Sequence, residues 1–109
     1  MNYRFMRCIL FFDLPSITKT DLREYRKFVK LIKNEGFVML QESVYTKLCL
    51  NQGVVDATIA RVKTELPKEG IVSVLTITEK QFSSITQLLG EVETDVELSD
   101  SKLIVLWKK

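Results

Sequence analysis

Residues 6–14, MRCILFFDL, form an almost unbroken apolar run that ends with Asp13 and Leu14 and is followed by Pro15. Such a run is predicted to be a strand covered on both faces, because a strand with one wet face alternates apolar and polar residues. It has to stop at Asp13 or Leu14, since Pro15 lacks the amide that would extend a ladder. In a chain of 109 residues, 46% of them apolar, this strand marks the centre of one compact domain and leaves no room for a second. A domain this small buries only roughly two-thirds of the surface its unfolded chain exposes, so covering an apolar face with a second copy would add stability.

From Thr18 to Asn34 the period changes to that of a helix. Thr18 with Asp21 three residues later reads as a capping signal, and Gly36 as the stop. At about 100° per residue, Leu22, Tyr25, Phe28, Val29 and Ile32 fall on one side. Lys19, Arg23, Arg26, Lys27, Lys30 and Lys33 fall within an arc of roughly 120° on the other.

Residues 37–50, FVMLQESVYTKLCL, are rich in aromatic and β-branched types, so they form either two short strands or one bent strand broken at Gln41-Glu42-Ser43. A second helix follows, with Val55, Ile59, Val62 and Leu66 along a narrow apolar seam that Pro67 ends. GIVSVLTIT, residues 70–78, reads as a strand. Strand, helix, strand pair, helix, strand is the ferredoxin-like βαββαβ order, an α+β fold with both helices on one face of an antiparallel sheet. Residues 1–78 are the expected core. Residues 79–109 are an extension of the same domain: a short helix in EKQFSSITQLLG, an acidic stretch from Glu91 to Asp100 with five acids and no base, and a final strand SKLIVLW. That strand needs an edge, either in its own chain or, swapped, in a homodimer partner.

Charge is unevenly spread. Residues 1–68 carry 12 Lys/Arg against 7 Asp/Glu, a net of +5, and residues 69–109 carry 4 against 7, a net of −3. The asymmetry directs attention to a polyanion-facing surface in the first part. Cys8 and Cys49 sit far apart in apolar runs, without disulfide or metal-ligand spacing, and are expected to be reduced core residues. No run reaches the roughly 18 apolar residues of a membrane span, and no small-residue cleavage site follows the amino-terminal run, so a cytoplasmic protein is expected.

There is no histidine, so a hydrolytic mechanism would need carboxylates, a metal or bound water. Asp13 is the most suggestive acid, at the carboxyl end of a buried strand where the chain turns toward a basic helix. A two-fold axis that pairs two copies would create a carboxylate dyad able to hold Mg2+ or share a proton. The alternative is an aspartate that caps the Pro15-Ser16 turn. The cationic side of the first helix is either a solvated face or a grip on the phosphate backbone of duplex DNA, giving affinity without base specificity. Ser43 and Tyr45, two residues apart at the strand break, could share one side of the sheet, or Tyr45 could simply pack at the core edge. A regulatory module binding a small ligand is a third reading, but the sequence offers no motif of convergent polar groups for it.

The strand ending FFDLP, the helix REYRKFVKLIKNEGF, the segment MLQESVYTKLCLN and the run VLTITEKQF together resemble the small CRISPR-associated endoribonucleases, the Cas-two family, especially its type II-A members. The resemblance covers nearly the whole chain, and the pairing of EGFVMLQESVY with TITEKQF is its specific part. It implies a ferredoxin-like homodimer with swapped C-terminal strands, bridging two dimers of the Cas-one integrase in a complex that captures duplex prespacer DNA and inserts it into the CRISPR array. It also implies Mg2+ at the Asp13 pair and metal-dependent cleavage of single-stranded RNA, or of DNA in some members. Leu14-Pro15 stands where many relatives carry a further polar or acidic residue, a departure that bears on nuclease activity more than on the fold or the bridging role. In spacer acquisition the family's dimer is regarded as a scaffold.

Overall fold

The computed structural model describes residues 4–90. Its elements are β1 (Met6–Asp13), α1 (Lys19–Asn34), β2 (Val38–Gln41), β3 (Val44–Cys49), α2 (Gln52–Lys63), β4 (Ile71–Thr78) and a single turn, α3 (Glu79–Phe82). The four strands form one antiparallel sheet in the order β2-β3-β1-β4, so the fold is the expected α+β, ferredoxin-like arrangement. The acidic stretch and the final apolar run lie outside the described residues.

β1 is central, as its apolar run requires. The pairings Leu10↔Tyr45 and Leu10↔Val74 put Cys8, Leu10 and Phe12 on the same face as Tyr45, Cys49, Val72 and Val74. Against that face pack Phe28 and Ile32 of α1 and Val55 and Val62 of α2, which completes the core. Phe12 fixes the seat of α1: its ring meets Phe28 edge-on at 5.3 Å and Tyr25 at 5.9 Å, and stacks on Tyr45 at 5.8 Å.

The other face departs from the expectation of complete cover. One turn of α3 covers Arg7, but Phe11 stays 42% exposed, Leu75 51% and Ile71 65%. Among the described residues, β1 is therefore covered on only one side toward its carboxyl end.

The helix ends follow their residues. Thr18 Oγ1 accepts from the Asp21 amide, and the Asp21 carboxylate accepts from the amides of Thr18 and Ile17, so the expected capping signal takes the form of a capping box. At the other end the Phe37 amide donates to the Ile32 carbonyl and the Gly36 amide to that of Lys33. This pair of hydrogen bonds needs a left-handed residue, here Gly36 at φ 99°.

Two expectations need correction, and one open alternative is resolved. α2 ends at Lys63, with Thr64 as its cap, so Leu66 lies beyond the helix and is 46% exposed. The helical conformation is disfavoured just before Pro67, and the Thr64 hydroxyl donates to the Arg61 carbonyl at 2.7 Å, closing the last turn early. The helix expected in residues 79–90 is only the turn of α3. Residues 37–50 form two strands whose register shifts between Met39 and Gln41, with Ser43 at φ 63° in the turn between them.

Candidate nucleic-acid interface

All six bases of the α1 arc, Lys19, Arg23, Arg26, Lys27, Lys30 and Lys33, are exposed. The reason is local: Phe28 and Ile32 are drawn into the core, and a 16-residue helix fixed by its buried stripe must turn the opposite arc to solvent. The two ion pairs between described residues are Arg7–Glu79 and Arg61–Glu35. Neither uses a base of the arc, so its charge is not neutralised within the described part of the chain.

Asp13 ends β1 on the open face, in the same alternating set as Arg7, Ile9 and Phe11, and is exposed. Its neighbour across the ladder is Ile71, and its backbone approaches Gly70 so closely that a Cβ there would lie 2.6 Å from the Asp13 carbonyl oxygen. Gly70 also holds φ 105°, so this corner admits glycine alone without rearrangement. No hydrogen bond ties the Asp13 carboxylate to a described residue, the Pro15-Ser16 turn included. Among the described residues no three acids, cysteines or histidines gather closely enough to hold a metal ion. Among the described residues a protomer thus brings the Asp13 carboxylate alone to this corner, and a second copy would add another Asp13.

Ser43 and Tyr45 do not share an exposed side. Ser43 sits in the β2–β3 turn, where its carbonyl accepts from the Phe12 amide at 3.1 Å. Tyr45 is buried on the helix-covered face against Phe12, in keeping with the packing alternative.

Two arrangements had no sequence signal. Arg7 is buried on the open face, where it pairs with Glu79 and lies 4.3 Å from the centre of the Phe82 ring. Lys47 runs along the helix-covered face and donates to the Thr58 hydroxyl at 2.9 Å. Both joins link residues remote in sequence, so periodicity carries no trace of them. A mostly apolar cavity of about 240 Å3 beneath α2, between Val62, Leu66 and Val74, has Thr58 and Lys63 as its polar side chains. Since Thr58 already serves Lys47 and the Val54 carbonyl, the cavity lacks the convergent polar groups a small-ligand module needs.

Comparison with known proteins agrees with this architecture. The family model described as CRISPR associated protein Cas2, the Cas-two family, matches residues 6–85. The chain is 48% identical over 101 residues, 93% of each chain, to a protein named CRISPR-associated endoribonuclease Cas2 from Streptococcus mutans serotype c. Proteins of the same name from Treponema denticola and Ligilactobacillus salivarius are 43% and 42% identical over 101 residues, covering 93% of this chain and 100% of each relative. No helix among the described residues is long and apolar enough to cross a membrane. With its helices, sheet order and sequence all in agreement, the chain belongs to the CRISPR-associated Cas2 family.

Proposed function

We propose that this chain is a CRISPR adaptation subunit: a homodimer that bridges two integrase dimers and holds the backbone of duplex prespacer DNA on the basic arc of α1. The observation that carries the reading is the set of six exposed bases, unpaired with any described residue, on a helix whose opposite side is locked into the core. Each phosphate they neutralise releases counterions, so affinity is gained without reading bases. The apolar open face supports the dimer, because a second copy would give β1 the cover its sequence calls for. The outer edge of β4, eight residues without a charge, is unpaired among the described residues and suits a strand exchanged between partners.

The test is a fluorescence-anisotropy titration of short duplex DNA at several salt concentrations, comparing wild type with Arg23→Glu/Arg26→Glu/Lys30→Glu. The variant is expected to bind more weakly, with a salt slope flatter by about 0.9 for each phosphate that is no longer neutralised. Equal affinity and equal slope would defeat the reading. The bridging part is tested separately, by mixing the chain with the integrase and measuring complex mass by light scattering.

A second reading, a Mg2+-dependent endoribonuclease or endodeoxyribonuclease, is favoured by one observation: Asp13 is exposed at the rim of the face a second copy would cover. Its test is cleavage of single-stranded RNA and of DNA with Mg2+ or Mn2+ by wild type and Asp13→Ala. Loss of cleavage in the variant supports it, and equal cleavage by both, or none by either, removes it.

A further inference from the structure

We infer that the phosphate track of α1 continues across the cleft between α1 and the loop joining α2 to β4, with Lys68 as its second wall. This rests on the reading of α1 as a backbone-binding helix and adds a site to it. The cleft has a volume of about 420 Å3. Lys27 and Glu24 line it from α1, and Glu65, Pro67 and Lys68 from the loop. Lys27 belongs both to the basic arc and to the cleft wall, so a backbone lying along α1 meets the cleft at Lys27. Lys68 stands exposed on the other wall and, like Lys27, has no ion pair with a described residue.

The two walls are tied together. Arg61, near the end of α2, pairs at 2.7 Å with Glu35 at the end of α1. The Thr64 hydroxyl closes the last turn of α2, and the Pro67 ring fixes its own φ next to Lys68. Lys68 is thus carried on a segment braced at the turn before it, which lowers the entropy lost when it meets a phosphate.

Glu24 is half-buried and Glu65 exposed in the same cleft. Their charge opposes a phosphate settling between the walls and partly offsets the lysines, so the backbone is held at the mouth by Lys27 and Lys68. Neutralising either acid is therefore expected to tighten binding, and by more than neutralising an acid remote from the cleft.

The experiment uses the full-length chain and the same duplex titrations. Lys68→Gln is expected to flatten the salt slope by about 0.9 for each copy that engages the duplex, and Glu65→Gln to tighten binding several-fold. Lys80→Gln removes an equal charge from α3 and is expected to leave the slope alone. If the α1 triple variant weakens binding while Lys68→Gln matches Lys80→Gln and Glu65→Gln changes nothing, the cleft is off the track and the inference falls with the α1 reading intact. If the α1 variant is also without effect, both fall.

Discussion

Among the described residues only Arg7 carries a charge into the buried interior, at 3% exposure, and it does so paired with a carboxylate. Its Nε donates to one Glu79 carboxylate oxygen at 2.8 Å and its Nη2 to the other at 2.6 Å, while the Phe82 ring covers its face. Thr78 and Gln81 close a capping box around the same turn. The TITEKQF segment therefore acts as a clasp holding α3 on the amino-terminal end of β1, although its residues alone mark only a strand end and a short helix. Removing the cation leaves a half-buried carboxylate without its partner. Arg7→Met is thus expected to cost about 3 kcal/mol or more in denaturant unfolding, and Arg7→Met/Glu79→Gln to recover much of it. Equal midpoints for wild type and Arg7→Met would show that the clasp contributes nothing. The cysteines, in contrast, behave as their apolar neighbours suggest. Burial, helped by nearby Cys49, pushes the Cys8 thiol up to about 11 against a weaker opposing pull from Lys47, so it stays protonated at neutral pH.

α1 is the element most legible in the sequence, because its start, stop and two sides are each written in local residues: Thr18 and Asp21, Gly36, and the split between Phe28 and Lys30. Where a signal is local but ambiguous, the fold chooses. Leu66 continues the apolar spacing of α2, yet the backbone constraint before Pro67 outweighs that spacing, and Leu66 ends in the loop beside the cleft. Ser43 carries no sequence mark of its left-handed backbone, since serine is not a residue that favours it. The cap of α1 gives a prediction of its own. Hydrogen bonds from the Thr18 and Ile17 amides hold the Asp21 carboxyl below its ordinary value of 3.8, against a smaller opposing effect of desolvation. A carboxyl lowered on folding stabilises the fold above its unfolded pKa, and that contribution is lost as the pH falls through the folded one. Unfolding followed by circular dichroism from pH 7 to pH 2 is expected to show a loss below about pH 4 that is smaller in Asp21→Asn. Thr18→Ala should cost about 1 kcal/mol at neutral pH. An acid limb identical in Asp21→Asn would place the sensitivity in other carboxylates.

At the scale of the molecule, the strongest demand of the sequence is the one that the described residues leave unmet. β1 has apolar residues on both faces; α1 and α2 cover one, and α3 covers only the Arg7 end of the other. Phe11 and Leu75, neighbours on the open face, remain about half exposed, and Ile71 beside them more so. A two-fold pairing of the open faces would bury them, set the exposed Asp13 of each copy at the edge of the interface, and leave the basic arcs of both α1 helices outward on the far sides of the two sheets. Phe11→Asp separates this arrangement from a monomeric one. Each copy would lose roughly 1.5 kcal/mol of apolar burial, about 3 kcal/mol per dimer, so dissociation is expected to become easier by a hundred-fold or more. The carboxylate brought into the interface adds to that loss. Sedimentation velocity over a micromolar dilution series should then show dimeric wild type and monomeric Phe11→Asp, with circular dichroism unchanged because Phe11 lies outside the single-chain core. A variant that stays dimeric at the lowest concentrations would move the interface to another surface, and a wild type that sediments as a monomer throughout would remove the two-fold platform on which both the DNA-holding and the paired-aspartate readings stand.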